Sequence, residues 1–177
     1  MTVYADTAEK SKLDLWVPPI GSPERKPFPF LQTEFNEFMG QLSPDSRWMA
    51  YTSDESGRCE VYVRPFPPSE GKWKISTAGG EQPRWRADGK ELFYVAPEGK
   101  MVAVVVKPTP RPRLSFDVAV SKPLFESHIS SQLARLSLFQ YDVTGDGKRF
   151  LVVTTGVLAS SSPPLTVVVN WNVGLKK

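Results

Sequence analysis

The chain has 177 residues, of which 40% are hydrophobic and 23% charged, and this composition excludes a disordered chain and fits one folded domain. Its only cysteine, Cys59, excludes an intrachain disulfide and a cysteine-based zinc cluster. No apolar run reaches the ~18 residues of a membrane helix, and a net charge of +3 is too small to indicate nucleic-acid binding. The 17 prolines predict short strands and turns, because proline breaks helices.

The N-terminal region is predicted to contain a tail and two strands. Residues 1–12 are polar and lack the apolar stretch of a signal peptide, so they are predicted to be a tail. Residues 13–17 and 26–31 are predicted to be the third and the outer strand of a four-stranded unit, with no first or second strand before them. Pro27 and Pro29 fit only an edge strand, where the missing amide donors face solvent.

An acidic turn followed by an apolar strand occurs three times along the rest of the chain, around Asp45, Asp88 and Asp146. The first two aspartates are 43 residues apart, and the third follows after one such period plus 15 residues. A repeat of this length is typical of β-propeller blades. Each turn has a single carboxylate, whereas a calcium loop needs several oxygens in one short segment. These aspartates are therefore predicted to shape turns rather than to bind metal.

The residue after each aspartate is expected to adopt a left-handed conformation, because this conformation closes a three-residue hairpin loop. Glycine adopts it without strain, and Gly89 and Gly147 occupy the position in the second and third copies. Ser46 occupies it in the first copy, so the first turn is expected to carry some strain.

Each turn is followed by apolar runs that are separated by turn-rich breaks, which predicts antiparallel units of up to four strands. The β-branched run within 101–106 suits a strand buried on both faces. A short helix is predicted only over 130–138. The predicted strands after the three turns are 48–52, 60–63 and 73–77, then 91–95, 101–106 and 124–127, then 150–154 and 165–170.

The chain is therefore predicted to be all-β, with roughly three and a quarter propeller blades of four antiparallel strands. No domain boundary is predicted. No phosphate loop or metal-ligand cluster is found in the sequence, so no cofactor is expected. The predicted blades are a partial one over 13–33, complete ones over 38–78 and 80–128, and a partial one over 139–171, followed by a tail over 173–177.

Three segments resemble the repeat of TolB-like, WD40-like β-propellers: the turn 43–45 (Ser-Pro-Asp), the strand 48–51 (Trp-Met-Ala-Tyr) and the strand 14–17 (Asp-Leu-Trp-Val). The resemblance covers about residues 13–172. It implies a propeller, usually of six to eight blades, that binds a protein or peptide or gates a neighbouring domain without catalysing a reaction. The chain departs from the pattern in having only three of these turns.

A narrower resemblance involves 26–31 (Lys-Pro-Phe-Pro-Phe-Leu), 60–67 (Glu-Val-Tyr-Val-Arg-Pro-Phe-Pro) and 170–171 (Asn-Trp). These segments are similar to the C-terminal propeller of bacterial serine/threonine kinase-like sensor proteins, and also to the propellers attached to prolyl-oligopeptidase-type peptidases. The resemblance implies a domain outside the cytoplasm, although the chain has neither kinase nor peptidase motifs.

The predicted binding surface is one rim of the propeller, where the loops entering the innermost strands lie beside the loops between second and third strands. Rigid scaffolds tend to carry recognition on such loops. This rim is acidic and amide-rich although the whole chain is cationic, and we expect a protein or peptide ligand to bind it. Its predicted residues are Glu34, Asn36, Glu37, Asp54, Glu81, Gln82 and Gln140.

His128, the only histidine, leaves open an alternative function as an esterase- or peptidase-type hydrolase, with Ser130 and Asp142 as its partners. The sequence has no Gly-x-Ser-x-Gly elbow, so a noncatalytic loop histidine is the favoured interpretation. Arg84 and Arg86 resemble part of a phosphate-binding cluster, but the near-balanced charge favours no nucleic-acid partner.

An incomplete ring of blades would expose apolar sheet faces at both of its ends. Two copies of the chain supply roughly the 24 strands of a six-bladed ring, so a two-fold symmetric homodimer that closes one ring is expected. The alternative is that the chain is a segment of a longer propeller.

Overall fold

The computed structural model of the chain describes residues 4–7, 12–18, 26–109, 115–129 and 138–154. These residues contain 14 β-strands, one short 3-10 helix at Pro97–Gly99 and no α-helix. The all-β class predicted from the proline content and the short apolar runs is confirmed. The strands form four antiparallel sheets, numbered I to IV along the chain, and none of these sheets closes on itself.

The chain completes one sheet before it begins the next, as short connections favour. Sheet I contains β1 (Tyr4–Thr7), β2 (Leu13–Val17) and β3 (Phe28–Leu31). Sheet II contains β4 (Glu37–Leu42), β5 (Trp48–Ser53), β6 (Glu60–Pro65) and β7 (Trp73–Lys74). Sheet III contains β8 (Glu81–Trp85), β9 (Glu91–Ala96), β10 (Lys100–Thr109), β11 (Ser115–Val118) and β12 (Lys122–Glu126). Sheet IV contains β13 (Tyr141–Val143) and β14 (Phe150–Val152).

The long strand β10 gives sheet III a forked outer edge. One edge of β10 pairs with β9. On the other edge, β12 pairs with the segment Lys100 to Ala103, and β11 pairs with the segment Val106 to Thr109. Two separate short strands therefore share the outside of a single longer one.

The sheets stack face to face, because their strands carry apolar side chains on both faces. Along β5, Trp48 and Ala50 pack toward sheet III, whereas Met49 and Tyr51 pack toward sheet I, and all four are buried. This alternation follows from the two-residue period of a strand. It places one apolar core on each side of sheet II.

A third apolar core lies between sheets III and IV, so the four sheets are held in chain order. Burial of apolar surface in these cores stabilises the stack by about 25 cal/mol for each Å² removed from water. Members of the cores are Leu15, Phe30 and Tyr51 between sheets I and II, Trp48, Val63 and Val104 between sheets II and III, and Phe93, Met101 and Tyr141 between sheets III and IV.

The N-terminal segment contains a strand that the sequence does not predict. The sequence predicts a tail over 1–12, but Tyr4–Thr7 forms β1, which pairs with β2 from Tyr4 opposite Trp16 to Thr7 opposite Leu13. The expectation that no strand precedes 13–17 is therefore wrong. Four residues of mixed polarity give no clear two-residue period, and the backbone ladder with β2 fixes the position of β1.

The strands predicted for sheets II and III are found in β5, β6, β7, β9, β10 and β12, although β7 ends at Lys74 rather than at 77. The strand β11 is not predicted, because it follows a proline-rich run that resembles a linker. The predicted strand over 165–170, the predicted tail over 173–177 and residues 130–137 of the predicted helix lie outside the described residues.

The three acidic turns share one backbone geometry. The residue after each aspartate is left-handed, with φ of 56° at Ser46, 70° at Gly89 and 72° at Gly147. Its amide donates to the carbonyl oxygen three residues earlier at 2.8, 2.9 and 2.8 Å, respectively, as in a type I turn. The predicted three-residue loop is confirmed, and Ser46 occupies a conformation that glycine adopts without strain.

Each turn aspartate stabilises its own loop through Oδ1. This atom accepts the amide two residues further on, at 3.1 Å from Arg47, 3.0 Å from Lys90 and 3.1 Å from Lys148. In the first and third copies a hydroxyl side chain at the start of the turn, Ser43 or Thr144, also donates to the aspartate. Turn chemistry therefore accounts for the repeated acidic residue.

Replacing Ser46 by glycine is expected to stabilise the chain, because glycine avoids a cost on the order of 1 kcal/mol for a left-handed side-chain-bearing residue. The greater freedom of the unfolded glycine variant offsets part of this gain. The reciprocal control is Gly89→Ser, since a Cβ at Gly89 meets its nearest atom, Cδ of Pro44, only at 3.9 Å. In urea denaturation the midpoint should rise for Ser46→Gly and fall for Gly89→Ser. A lower midpoint for Ser46→Gly would contradict this account of the turn.

Candidate functional site

The first strands of sheets II and III share a backbone irregularity. Met39 in β4 and Gln82 in β8 are both left-handed, with φ of 55° and 59°. They lie 43 positions apart, which is also the spacing of the first two acidic turns. In both strands the pairing with the following strand shifts register at this point. Such bulges change the direction in which side chains point and often occur beside functional sites.

Gln82 connects sheet III to sheet IV through a buried amide pair. Its Oε1 accepts the backbone amide of Gln140 at 2.7 Å, and its Nε2 donates to Oε1 of Gln140 at 3.2 Å. The carbonyl oxygen of Gln82 accepts the hydroxyl of Tyr141 at 2.8 Å. Among the described residues, Nε2 of Gln140 is a buried donor without an acceptor. These two predicted rim residues therefore meet, but inside the protein rather than on an exposed loop.

Arg84 lies at the junction of three sheets. Its Nη1 donates to Oε1 of Gln41 in sheet II at 3.1 Å, and its Nε donates to the carbonyl oxygen of Tyr141 in sheet IV at 3.4 Å. The guanidinium also lies 4.0 Å from the ring centroid of Phe139 and 3.8 Å from the carboxylate of Asp142. These contacts connect Arg84 of sheet III to sheets II and IV.

The N-terminal part of the predicted rim forms a second polar network. Nδ2 of Asn36 donates to Oδ2 of Asp54 at 2.6 Å, and the Asn36 backbone amide donates to Oδ1 at 2.9 Å. Oδ1 of Asn36 accepts the backbone amide of Leu13 at 3.3 Å. Beside them, the Thr33 hydroxyl donates to Oε1 of Glu37 at 2.5 Å. This network fixes the loop that connects sheet I to β4.

Glu37 is a fully buried carboxyl group at the start of β4. Its Oε2 has no hydrogen-bond partner among the described residues. Burial raises the pKa of Glu37 from 4.5 to about 7 against the opposing hydrogen bond from Thr33, and the negative charges of Asp14, Glu55 and Asp54 raise it further. Glu37 therefore takes up and releases a proton near neutral pH.

The raised pKa of Glu37 predicts a pH-dependent effect of Glu37→Gln. The folded chain holds this proton up to about pH 7, whereas the unfolded chain loses it near 4.5. The resulting stabilisation is complete below pH 4.5 and is lost as the pH rises to 7, by an amount on the order of 2–3 kcal/mol. The variant should therefore gain stability relative to the wild type between pH 5 and 8.

Thermal unfolding at several pH values measures this effect. Glu34→Gln is the matched control, because it removes an exposed carboxylate from the same loop and should change the melting temperature little over this range. A constant difference between Glu37→Gln and the wild type from pH 5 to 8 would show that burial does not hold the Glu37 proton.

A cavity of about 610 Å³, the rim cavity, opens beside sheets II and III. Its lining consists of Arg58 and Cys59 just before β6, the segment 79–82 leading into β8, the segment 95–99 between β9 and β10, and Ile129. Three of the lining residues are glycines, so backbone forms part of the wall. A volume of this size is within the range of ligand-binding sites.

Buried Glu60 anchors the wall of the rim cavity. Its Oε2 accepts the hydroxyl of Ser76 and the amide of Gly79, the latter at 2.9 Å. Its Oε1 pairs with Arg58 at 2.9 Å and with Lys74 at 3.3 Å. Burial alone would raise the pKa of Glu60, but these hydrogen bonds outweigh it and lower the pKa. The ionised carboxylate therefore holds Arg58 and the Gly79 loop in place.

The predicted rim residues fall into two groups. Glu34 is exposed, and it precedes the network of Asn36, Glu37 and Asp54. Glu81 and Gln82 line the rim cavity, and Gln140 joins Gln82. An apolar cluster that includes Phe38, Met39, Cys59 and Phe139 connects the two groups.

Sequence reasoning missed several residues of the rim cavity, among them Arg58, Cys59 and Ile129. The paired glycines 79–80 before β8 are the signal that indicates a backbone-lined wall, because glycine lacks the side chain that would fill the space. The burial of Glu37 and Gln140 indicates that these two predicted rim residues support the site instead of touching a ligand.

The residues of the alternative hydrolase are not assembled in the described part of the chain. His128 is exposed and left-handed, with φ of 55°. Asp142 has a side chain that is 67% exposed, and it lies near Arg84 rather than near the imidazole. Ser130 lies outside the described residues. No oriented acid–histidine pair supports a nucleophile in the region that the structure describes.

A second cavity, of about 740 Å³, lies beside the first two acidic turns. Its carboxylates, Asp45 and Asp88, are engaged in hydrogen bonds of their own turns. Both oxygens of Asp88 also accept from Arg86 at 2.8 Å, and these bonds lower the pKa of Asp88 to about 2. Because the structure of the turns accounts for both carboxylates of the second cavity, the rim cavity is the stronger candidate site.

Comparisons with known proteins add no family assignment. A scan against protein-family models gives no match, and a search of curated proteins gives none either. Within the described residues, no helix is long and apolar enough to cross a membrane, and no group of three or more His, Cys, Asp or Glu side chains is placed to hold a metal ion.

Proposed function

We propose that the chain is a noncatalytic module of β-propeller blades that binds a protein or peptide ligand in the rim cavity. The main support for this proposal is the cavity of about 610 Å³ beside the first strands of sheets II and III. Loops that connect the strands of these stacked sheets form its walls. Rigid scaffolds with shaped loop surfaces are the usual platform for recognition. Backbone groups on the glycine-rich walls suit an extended peptide, which offers its own amides and carbonyls.

Three features support the propeller architecture. Successive antiparallel sheets stack face to face in chain order. The strands β4 and β8 each carry a left-handed residue, Met39 and Gln82, and these two residues are 43 positions apart. The turn that leads from the first to the second strand has the same geometry in sheets II, III and IV. A regular radial repeat of this kind is how propellers protect the edges and faces of their sheets.

Closure of the ring by a second copy is part of this proposal. Leu151 in sheet IV and Val153 directly after it are 73% and 58% accessible, and sheet I exposes Tyr4 and part of Trp16 on its face away from sheet II. In the rest of the stack, equivalent apolar faces are covered by the next sheet. A two-fold homodimer would place sheet I of one protomer on sheet IV of its partner and bury both sets.

Light scattering measures the association state, with a species near twice 19.8 kDa expected. Leu151→Arg should reduce the dimer to a monomer, because a charge would be buried in the seam. Val120→Arg is the matched control, since Val120 is 93% exposed on the outer edge of sheet III and should not affect dimerisation. A stable wild-type monomer at micromolar concentration would rule out the two-copy ring.

Ligand binding is measured with fluorescein-labelled hexapeptide pools and fluorescence polarisation. Reaction of Cys59 with N-phenylmaleimide should weaken binding by about tenfold or more, because the added ring occupies the rim cavity. Cys59→Ser is the control, which should bind the pools and be insensitive to the reagent. Failure of every pool to bind, or equal binding after alkylation of the wild type, would contradict the proposal.

A screen of ester and peptide substrates tests the noncatalytic part of the proposal. We expect no turnover, and His128→Ala should leave the melting temperature and peptide binding unchanged, because the imidazole is exposed. Turnover that is abolished by His128→Ala in a folded protein would establish the alternative hydrolase function.

A further inference from the structure

Glu37 is a fully buried acid at the place where sheet I meets sheet II. It begins β4, and β2 of sheet I packs against this strand. Oε1 of Glu37 accepts the Thr33 hydroxyl, but Oε2 has no hydrogen-bond partner among the described residues. An ionised carboxylate that is removed from water needs several hydrogen bonds or a cation. The site therefore suits the protonated acid better than the carboxylate.

The acidic groups around Glu37 disfavour its ionised form further. Asp14 on β2, and Asp54 and Glu55 after β5, act on Glu37 with negative charge. Asp54 accepts hydrogen bonds from the backbone amide and the side chain of Asn36, and both of these donors are neutral. Burial is the largest cause of the raised pKa of Glu37, about 7, and the like charges add to it.

The basic groups on this side of sheet II are engaged with other residues. Lys72 pairs with Glu55 at 2.6 Å and so balances one of the three carboxylates. Burial raises the pKa of the Tyr51 hydroxyl on β5, and the positive charge of Arg64 on β6 opposes this rise. In the part of the chain that the structure describes, no basic side chain forms an ion pair with Glu37.

The strands β1 and β8 also pack against β4. Tyr4 of β1 lies on the face of sheet I that points away from sheet II. β8 carries Glu81 and Arg84, and Arg84 donates to Gln41 near the other end of β4 at 3.1 Å. The described side chains of these two strands therefore give Glu37 no cation.

Sheet I is the neighbour of Glu37 that can separate most easily. No backbone ladder joins sheet I to sheet II in the described residues, although Oδ1 of Asn36 accepts the Leu13 amide at 3.3 Å. Sheet I has three short strands, and its far face leaves Tyr4 and part of Trp16 exposed. Sheet II, in contrast, packs against an apolar core on each face. Elements with fewer buried contacts open first, so water can reach Glu37 without separation of sheets II and III.

We infer that Glu37 makes the contact between sheets I and II sensitive to pH, so that sheet I separates more readily once this carboxyl group is ionised. The protonated acid is compatible with burial, whereas the carboxylate gains hydration when sheet I moves away. Separation exposes the sheet I side of the apolar core, which includes Leu15, Val17 and Phe30. This inference concerns a different surface from the rim cavity and does not depend on a ligand or on closure of the ring.

Hydrogen–deuterium exchange of the whole chain from pH 5 to 8, corrected for intrinsic exchange and read by mass spectrometry, measures this opening. At every pH, β2 and β3 should open at least about tenfold more often than β6 and β9 in sheets II and III. Because the pKa of Glu37 falls from about 7 to 4.5 when water reaches it, the opening of sheet I should increase about 50-fold over this range. The increase should level off above pH 7.

Two variants assign the effect to one carboxyl group. Glu37→Gln keeps an acceptor for the Thr33 hydroxyl but cannot ionise, so the opening of sheet I should no longer depend on pH. Glu34→Gln removes an exposed carboxylate from the same loop and should retain the wild-type dependence. A pH dependence that persists in Glu37→Gln would overturn the inference.

The wild-type profile is decisive even if Glu37→Gln does not fold. Equal opening of sheet I and of β6 and β9 at each pH would mean that only global unfolding exposes Glu37. That result would overturn the inference and leave the stability effect of Glu37→Gln intact. An opening of sheet I that is larger but independent of pH would also overturn it. None of these results changes the test of peptide binding.

Discussion

The first strands of sheets II, III and IV, which are β4, β8 and β13, share no backbone ladder with one another in the described residues, and side chains connect them. Arg84 supplies the central connection, because it reaches Gln41 in sheet II and Tyr141 in sheet IV. Beside it, Nε1 of Trp85 donates to the carbonyl oxygen of Gln41 at 3.1 Å. Hydrogen bonds that carry charge and are largely sheltered from water are among the stronger ones in proteins. The order of the stack depends on these few contacts as well as on the apolar cores.

The same connections position the candidate site. Gln82 joins sheets III and IV through Gln140, and its left-handed backbone forms part of the rim cavity wall. Glu60 holds two further parts of the lining, because it pairs with Arg58 and accepts the amide of Gly79. Arg58, Gly79 and Gln82 are therefore tied to buried groups, which fixes their part of the lining. Preorganised walls of this kind reduce the entropy lost when a ligand binds.

The sequence predicted local features better than features that depend on distant contacts. The acidic turn was predictable because the left-handed residue and the aspartate hydrogen bonds involve neighbours along the chain. The bulge at Gln82 was not, because glutamine has no preference for that conformation and its partner, Gln140, is 58 residues away. The burial of Glu37 was likewise hidden, since a carboxylate in a loop usually lies in water. The rim cavity depends on the glycine pair 79–80. Two adjacent glycines indicate that side-chain volume is missing at this position, but they do not indicate which distant residues surround the empty volume.

The forked outer edge of sheet III shows how the repeated unit accommodates a longer segment between two successive acidic turns. The interval between the second and third acidic turns exceeds the period by 15 residues, and part of this excess forms β11 on the outside of β10. The connection from β11 to β12 passes through Val120, which is 93% exposed. The extra residues are thus taken up on the side of β10 that faces away from β9 and β8. Insertions near Val120 are therefore the ones that this architecture tolerates most easily, and an epitope or a whole small domain could be grafted there without disturbing β8, β9 or the rim cavity.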